Sequence, residues 1–181
     1  RRASLGRFLS PGIVEMIMQQ DSILELGGGQ TREVTTMFCD IRAFTPMAEG
    51  MTPADLIALL NQHFTAMTEI IFRHKGTLDK YVGDEVMALF GAPFDTGADA
   101  RLAIEASLEM QTKNAELNLN RIERGWPTFE IGIGVNTGEV IAGYVGSPDR
   151  MDFTVLGDHV NVASRLCSYA KAGQVIAGSL T

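Results

Sequence analysis

Between Thr52 and Gly76 the apolar side chains fall at Leu56, Leu60, Phe64, Met67 and Ile71. Steps of three and four residues mark one face of a helix. Its start is written in Thr52-Pro53-Ala54-Asp55, a capping residue, a proline in the first turn and an acidic residue three positions on. Gly76 ends it. A second long helix runs from about Thr96 to Arg124, with Leu102, Ala106, Met110 and Leu117 on one side, and Gly125-Trp126-Pro127 stops it. A shorter helix is predicted over Phe8–Gln20, entered through Ser10-Pro11. A last one is predicted over Asn161–Lys171.

The intervening segments read as strands. Glu33–Asp40 is a near-continuous half-apolar run. Thr77–Val82 and Glu85–Phe90 are short strands joined at Gly83-Asp84, the signature of a tight hairpin. Phe129–Thr137 and Val140–Val145 are predicted on either side of Gly138, followed by Phe153–Leu156 and Gln174–Ala177. Helices and strands are mixed, with a hairpin in the middle. The predicted class is therefore α+β, a largely antiparallel sheet with helices packed on it.

Length and charge narrow this picture. A chain of 181 residues makes one domain with a full core. Its net charge of -7 argues against broad nucleic-acid binding, which depends on neutralising phosphates with Lys and Arg. An acidic protein can still hold a triphosphate when divalent metals supply the positive charge. Cys39 and Cys167 form no CxxC pair, so neither a disulfide framework nor a zinc site is indicated, and a cytoplasmic setting fits. No apolar run approaches the roughly 20 residues of a membrane span. The chain opens on Arg1, as a piece of a longer protein would. Residues 1–30 are then a helix and linker from an upstream regulatory region, and residues 31–181 the functional domain. A membrane anchor elsewhere in the full-length protein is compatible with this.

Asp40 ends a strand and Asp84 sits in a tight turn. Either aspartate alone reads most simply as a turn former. Should the two strands be neighbours, the carboxylates meet, and like charges in one site are unfavourable unless a cation joins them. Hard ions such as Mg²⁺ take oxygen ligands, typically one or two carboxylates plus substrate phosphates. Elsewhere, His63, His74 and His159 lack ligand spacing and are assigned to core or helix surface. Gly27–Gly29 lacks the Lys-Ser/Thr that completes a phosphate-binding P-loop.

Three segments carry a family resemblance. Phe38-Cys39-Asp40-Ile41-Arg42-Ala43-Phe44-Thr45 resembles the first metal-binding motif of class III nucleotide cyclases, F-x-D-I-x-x-F-T. Lys80-Tyr81-Val82-Gly83-Asp84 resembles their second, K-x-x-G-D. Gly157-Asp158-His159-Val160-Asn161-Val162-Ala163-Ser164-Arg165 resembles the third, G-x-x-V-N-x-A-x-R. The motifs stand in the family's order over roughly Thr31 to Ala177. The resemblance implies a ferredoxin-like core, a homodimer with active sites across the interface, and an adenylyl cyclase domain of bacterial type. It implies that Asp40, Asp84 and the backbone carbonyl of Ile41 hold two Mg²⁺ or Mn²⁺ ions. One ion would lower the pKa of the ribose 3′-hydroxyl and the other would hold the triphosphate. Backbone amides of Phe44 and Thr45 would meet phosphate oxygens. From the partner chain, Asn161 would position the ribose and Arg165 would neutralise charge on the α-phosphate.

Purine choice turns on Lys80 and Thr154. By resemblance, Lys80 stands where adenylyl cyclases carry Lys and guanylyl cyclases usually carry Glu. An ammonium only donates, which suits the acceptor N1 of adenine. Thr154 stands where many adenylyl cyclases carry Asp to accept from the 6-amino group. Its hydroxyl both accepts and donates, so discrimination against GTP is expected to be softer. Members with Thr here include bicarbonate-responsive enzymes, so bicarbonate is an expected activator. Two departures accompany the match. The stretch Gly132–Gly138 lacks an Arg that some members carry, and a basic residue that often contacts the terminal phosphate would fall beyond Thr181.

Overall fold

The computed structural model describes residues 9–19 and 29–181. The predicted helix bounds at Phe8 and Gln20 and the Gly27-Gly28 pair lie outside them. The elements in chain order are α1 (Pro11–Gln19), β1 (Gln30–Ile41), α2 (Phe44–Glu49), α3 (Pro53–Arg73), β2 (Thr77–Val82) and β3 (Glu85–Phe90). They continue with α4 (Asp99–Glu123), β4 (Ile131–Ser147), β5 (Arg150–Leu156), α5 (Asp158–Tyr169) and β6 (Val175–Ala177). The strand order is β2-β3-β1-β4-β5, with β6 added in parallel to the first part of β4. All other pairings are antiparallel.

From Thr35 to Cys39, strand β1 is paired along both edges and buried on both faces. Met37, Cys39 and Ile41 face α3 and α4 together with Leu59, Met67, Ile71 and Met110. Val34 and Phe38 point the other way, into a second layer with Val140, Val155, Ala163 and Cys167 of α5. Alternation on a doubly covered strand explains why its sequence is an almost unbroken apolar run. Truncating a fully buried side chain such as Met67 to Ala is expected to cost about 2–5 kcal/mol.

Local chemistry sets the boundaries. Thr52 Oγ1 accepts from the Asp55 amide at 3.2 Å and caps α3 as its sequence predicts. Helix α4 begins three residues later than predicted. Thr96 and its hydroxyl bond Asp99 instead, and Gly97 takes a left-handed φ of 74°, which keeps that turn out of the helix. The hairpin β2–β3 matches the prediction residue for residue, with Gly83 at φ 61° on its first turn position.

One prediction was wrong. The two strands expected around Gly138 are a single 17-residue strand, β4. Glycine at this position serves close approach rather than a break: a Cβ there would overlap the His159 ring of α5. At Gly134, a Cβ would collide with the backbone of Ala163 and Cys167. The two glycines lie on one face of β4 and form the seat of α5.

His63 lies in the core with no solvent exposure and no hydrogen-bond partner for either ring nitrogen. Its ring packs edge-on to Phe129 at 5.4 Å. Burial, aided by nearby Arg121, pushes its pKa down to about 3. The unfolded chain takes up a proton near pH 6.5 that the folded chain refuses. Stability is therefore lost as pH falls from 6.5 towards 3, by about 2 kcal/mol at pH 5 from this residue alone. His63→Phe should flatten that part of the curve in denaturant titrations at pH 7 and pH 5; an unchanged pH slope would contradict the assignment.

Candidate active site

Antiparallel pairing of β1 with β3 sets Cys39 opposite Val86, so the end of β1 and the β2–β3 turn lie side by side. Asp40 and Asp84 are consequently neighbours, close enough for each carboxyl to act on the other. The Ile41 amide donates to Asp84 Oδ2 at 3.1 Å, which fixes that carboxylate against the backbone of β1. Burial, followed by the neighbouring Asp84, pushes the Asp40 carboxyl up to about 7. Glu85 adds a further negative group, and burial followed by Asp84 raises its carboxyl as well.

Arg42 offsets part of this charge. Its guanidinium donates to Asp40 Oδ2 at 3.2 Å and to the Ala170 carbonyl at 3.1 Å. Beyond it, Ala43 adopts a left-handed φ of 56°, turning the chain directly into α2. Such a conformation in a non-glycine residue stores strain and often marks a functional turn. Helix α2 has no side-chain cap, so the amides of Phe44 and Thr45 at its start are not claimed by Ala43. The donor set, two facing carboxylates with excess negative charge, fits a hard divalent cation.

The purine-reading candidates form a second group. Lys80 is on β2, with its side chain 45% exposed. Thr154 is on β5 and buried. They are joined through Asp79, which accepts from Thr154 Oγ1 at 2.6 Å and lies 3.7 Å from Lys80 Nζ. Strands β2 and β5 are the two ends of the strand order, so the sheet curls until its edges touch here.

Asn161 and Arg165 are one turn apart on α5, and both are exposed. Ala163 and Cys167 occupy the opposite, buried face. Among the described residues neither Asn161 nor Arg165 makes a side-chain hydrogen bond or ion pair. The single chain thus gathers Asp40, Ile41 and Asp84 at one place and Lys80 with Thr154 at another. Among the described residues no hydrogen bond joins the two groups, and α5 presents its pair outwards.

Two residues went unread in the sequence. Arg42 was legible, because positions i and i+2 on a strand share a face with Asp40. Asp79 was not, since nothing local announces that β2 and β5 meet.

With this geometry in view, the family can be stated. The chain matches the model of the adenylate and guanylate cyclase catalytic domain over residues 28–180 and belongs to that family. It is 38% identical over 168 residues to an adenylate cyclase of Anabaena cylindrica, covering 90% of this chain and 32% of that protein. It is 36% identical to adenylate cyclase 1 of Rhizobium meliloti over 75% of this chain and 20% of that protein. The chain therefore spans a third or less of these two curated relatives. Among solved structures, the guanylyl cyclase Cya2 superposes with a TM-score of 0.82 at 38% identity, covering 84% of this chain and 78% of that one. The adenylyl cyclase CyaB from P. aeruginosa matches with a TM-score of 0.82 at 37% identity, covering 84% and 79%.

The raised Asp40 pKa has a testable sign. Its folded value exceeds the unfolded one, so its contribution to stability is present at low pH and is lost as pH rises through about 7. In metal-free protein, Asp40→Asn is expected to raise the melting temperature at pH 8 and to do so much less at pH 5. Melts in the presence of chelator check this; destabilisation at both pH values would refute it.

Proposed function

We propose that this chain converts ATP to 3′,5′-cyclic AMP and pyrophosphate at sites shared by two copies of itself. The observation that carries the proposal is the division of one chain into two incomplete groups. Asp40 and Asp84 lie side by side, while Asn161 and Arg165 stand exposed and, among the described residues, make no side-chain hydrogen bond or ion pair. A two-fold axis that brings α5 of one copy over the carboxylates of the other would complete both sites at once. Exposed apolar residues support such an interface. Ile141 and Leu156 are directly opposed on β4 and β5, and they are 52% and 54% exposed.

In this reading, Asp40 and Asp84, with the Ile41 carbonyl, hold two Mg²⁺ or Mn²⁺ ions. Those ions supply Lewis acidity at the ribose 3′-oxygen and charge neutralisation at the triphosphate. Asp84 is pre-positioned by the Ile41 amide, and Arg42 keeps Asp40 from turning away. Phe44 and Thr45 offer amides to phosphate oxygens. The 3′-oxygen attacks the α-phosphorus, the bond from that phosphorus to the α,β-bridging oxygen breaks so that pyrophosphate leaves with the oxygen, and the hydroxyl proton passes to solvent water. Asn161 holds the ribose for in-line approach, and Arg165 stabilises charge gathering on the α-phosphate.

The two structures described above, a guanylyl and an adenylyl cyclase by name, match at equal TM-score, so similarity does not choose the substrate. Lys80 favours adenine by donating to N1. A guanylyl cyclase is the second reading. Fused regulatory domains fit the longer relatives, and bicarbonate remains a proposed activator.

The decisive experiment gives the protein ATP or GTP with Mg²⁺ or Mn²⁺ and measures cyclic nucleotide. Cyclic AMP is expected to predominate. Asp84→Ala should lower the rate at least about a hundredfold, and Lys80→Glu should move preference towards GTP. Cyclic GMP as the main product of the parent would overturn the assignment. Bicarbonate added at fixed pH should raise turnover, and an unchanged rate would remove that activator.

A further inference from the structure

Thr154 has a hydroxyl that in isolation donates or accepts equally well. In this fold it has no such freedom. Its Oγ1 is 2.6 Å from Asp79 Oδ2, a short bond across the closed edges of the sheet. An ionised carboxylate only accepts, so this bond uses the single Thr154 proton. Lone pairs are all that Oγ1 has left.

The Asp79 side chain is completely buried. Its second oxygen, Oδ1, has no hydrogen-bond partner and faces the Lys80 ammonium at 3.7 Å. Burial raises the Asp79 carboxyl, whereas the Thr154 hydroxyl and Lys80 pull it back down. Both neighbours are satisfied by the ionised form. A buried carboxylate half-satisfied in this way is costly to keep, which argues for a role beyond packing. Since it is shielded from solvent, Asp79 acts through its two neighbours rather than by touching a base.

We propose that Asp79 is a specificity-determining positioning residue: by holding the Thr154 proton it makes Thr154 an acceptor-only group, selecting purines whose 6-substituent donates. The inference rests on ATP being the substrate. Adenine offers a 6-amino hydrogen to that lone pair. Guanine offers the O6 acceptor, which meets lone pair against lone pair and is rejected. The same carboxylate tethers Lys80, so the donor for N1 and the acceptor for the 6-amino group are set by one side chain. A neutral threonine is thereby given the one-way polarity of an aspartate.

The test is the ratio of kcat/KM for ATP to that for GTP. Asp79→Asn is nearly isosteric, and its amide can donate to Oγ1 and release the Thr154 proton towards the base. It should lower the ratio about tenfold, the worth of one hydrogen bond, largely through the KM for ATP. Thr154→Val should lower it similarly, and Asp79→Asn added to Thr154→Val should change it little further. A purely structural role would reduce turnover of both substrates alike and leave the ratio untouched, which would overturn the proposal.

Should Asp79→Asn fail to fold, the unmodified protein answers the question by competition against ATP. The triphosphate of 6-methoxypurine riboside keeps the acceptor N1 but carries an acceptor at C6, whereas that of purine riboside carries only hydrogen there. The methoxy compound is expected to compete about tenfold less well; equal or tighter competition would overturn the proposal. A parent protein that prefers GTP overturns the substrate reading and this inference together. A parent that prefers ATP with an unchanged ratio in Asp79→Asn overturns this inference alone.

Discussion

From Thr35 to Cys39, strand β1 has no free edge and no free face. Its hydrogen bonds are taken up by β3 on one side and β4 on the other, and its side chains enter separate apolar layers above and below. A strand so enclosed cannot slip by one residue without driving its whole apolar set into the wrong layer. Register is therefore strongly determined, and so is the place where the strand ends. Asp40 occupies that end, and the β3 partner brings Asp84 to meet it. The least favourable electrostatic contact of the site is held in place by the most constrained element of the fold.

That arrangement stores cost where function needs it. Two carboxylates side by side repel, and the left-handed Ala43 beside them adds strain. Arg42 relieves only part of the repulsion and uses its other bond to reach the end of α5 at Ala170. The rest of the charge is left for a ligand to neutralise.

Strand β4 does for α5 what β1 does for the carboxylates. Gly134 and Gly138 clear one face so that helix backbone and the His159 ring lie directly on the strand. Close seating fixes the rotation of α5, and this rotation turns Asn161 and Arg165 outwards while Ala163 and Cys167 are buried. Beyond the seat, β4 continues into the ribbon that pairs with β5 and carries Thr154 across to Asp79. One long strand thus sets the positions of Asn161 and Arg165 on α5 and of Thr154 on β5.

Much of this was legible from local pattern. The helical spacing of α3, the Thr52 cap and the Gly83-Asp84 hairpin are decided by interactions a few residues apart, so residue types alone determine them. The three motifs likewise named the candidate residues, because side-chain chemistry at given spacing is a property of the sequence. What the sequence could not decide were contacts between positions far apart. Gly138 read as a break because its reason, the His159 ring, lies 21 positions away in the chain. Asp79 read as an unremarkable neighbour of Lys80 because its partner arrives from the opposite edge of the sheet, 75 residues on. Residue types determine which groups can accept, donate or carry charge. Only the tertiary structure, by committing the Thr154 proton to Asp79, decides which of those capacities is left over.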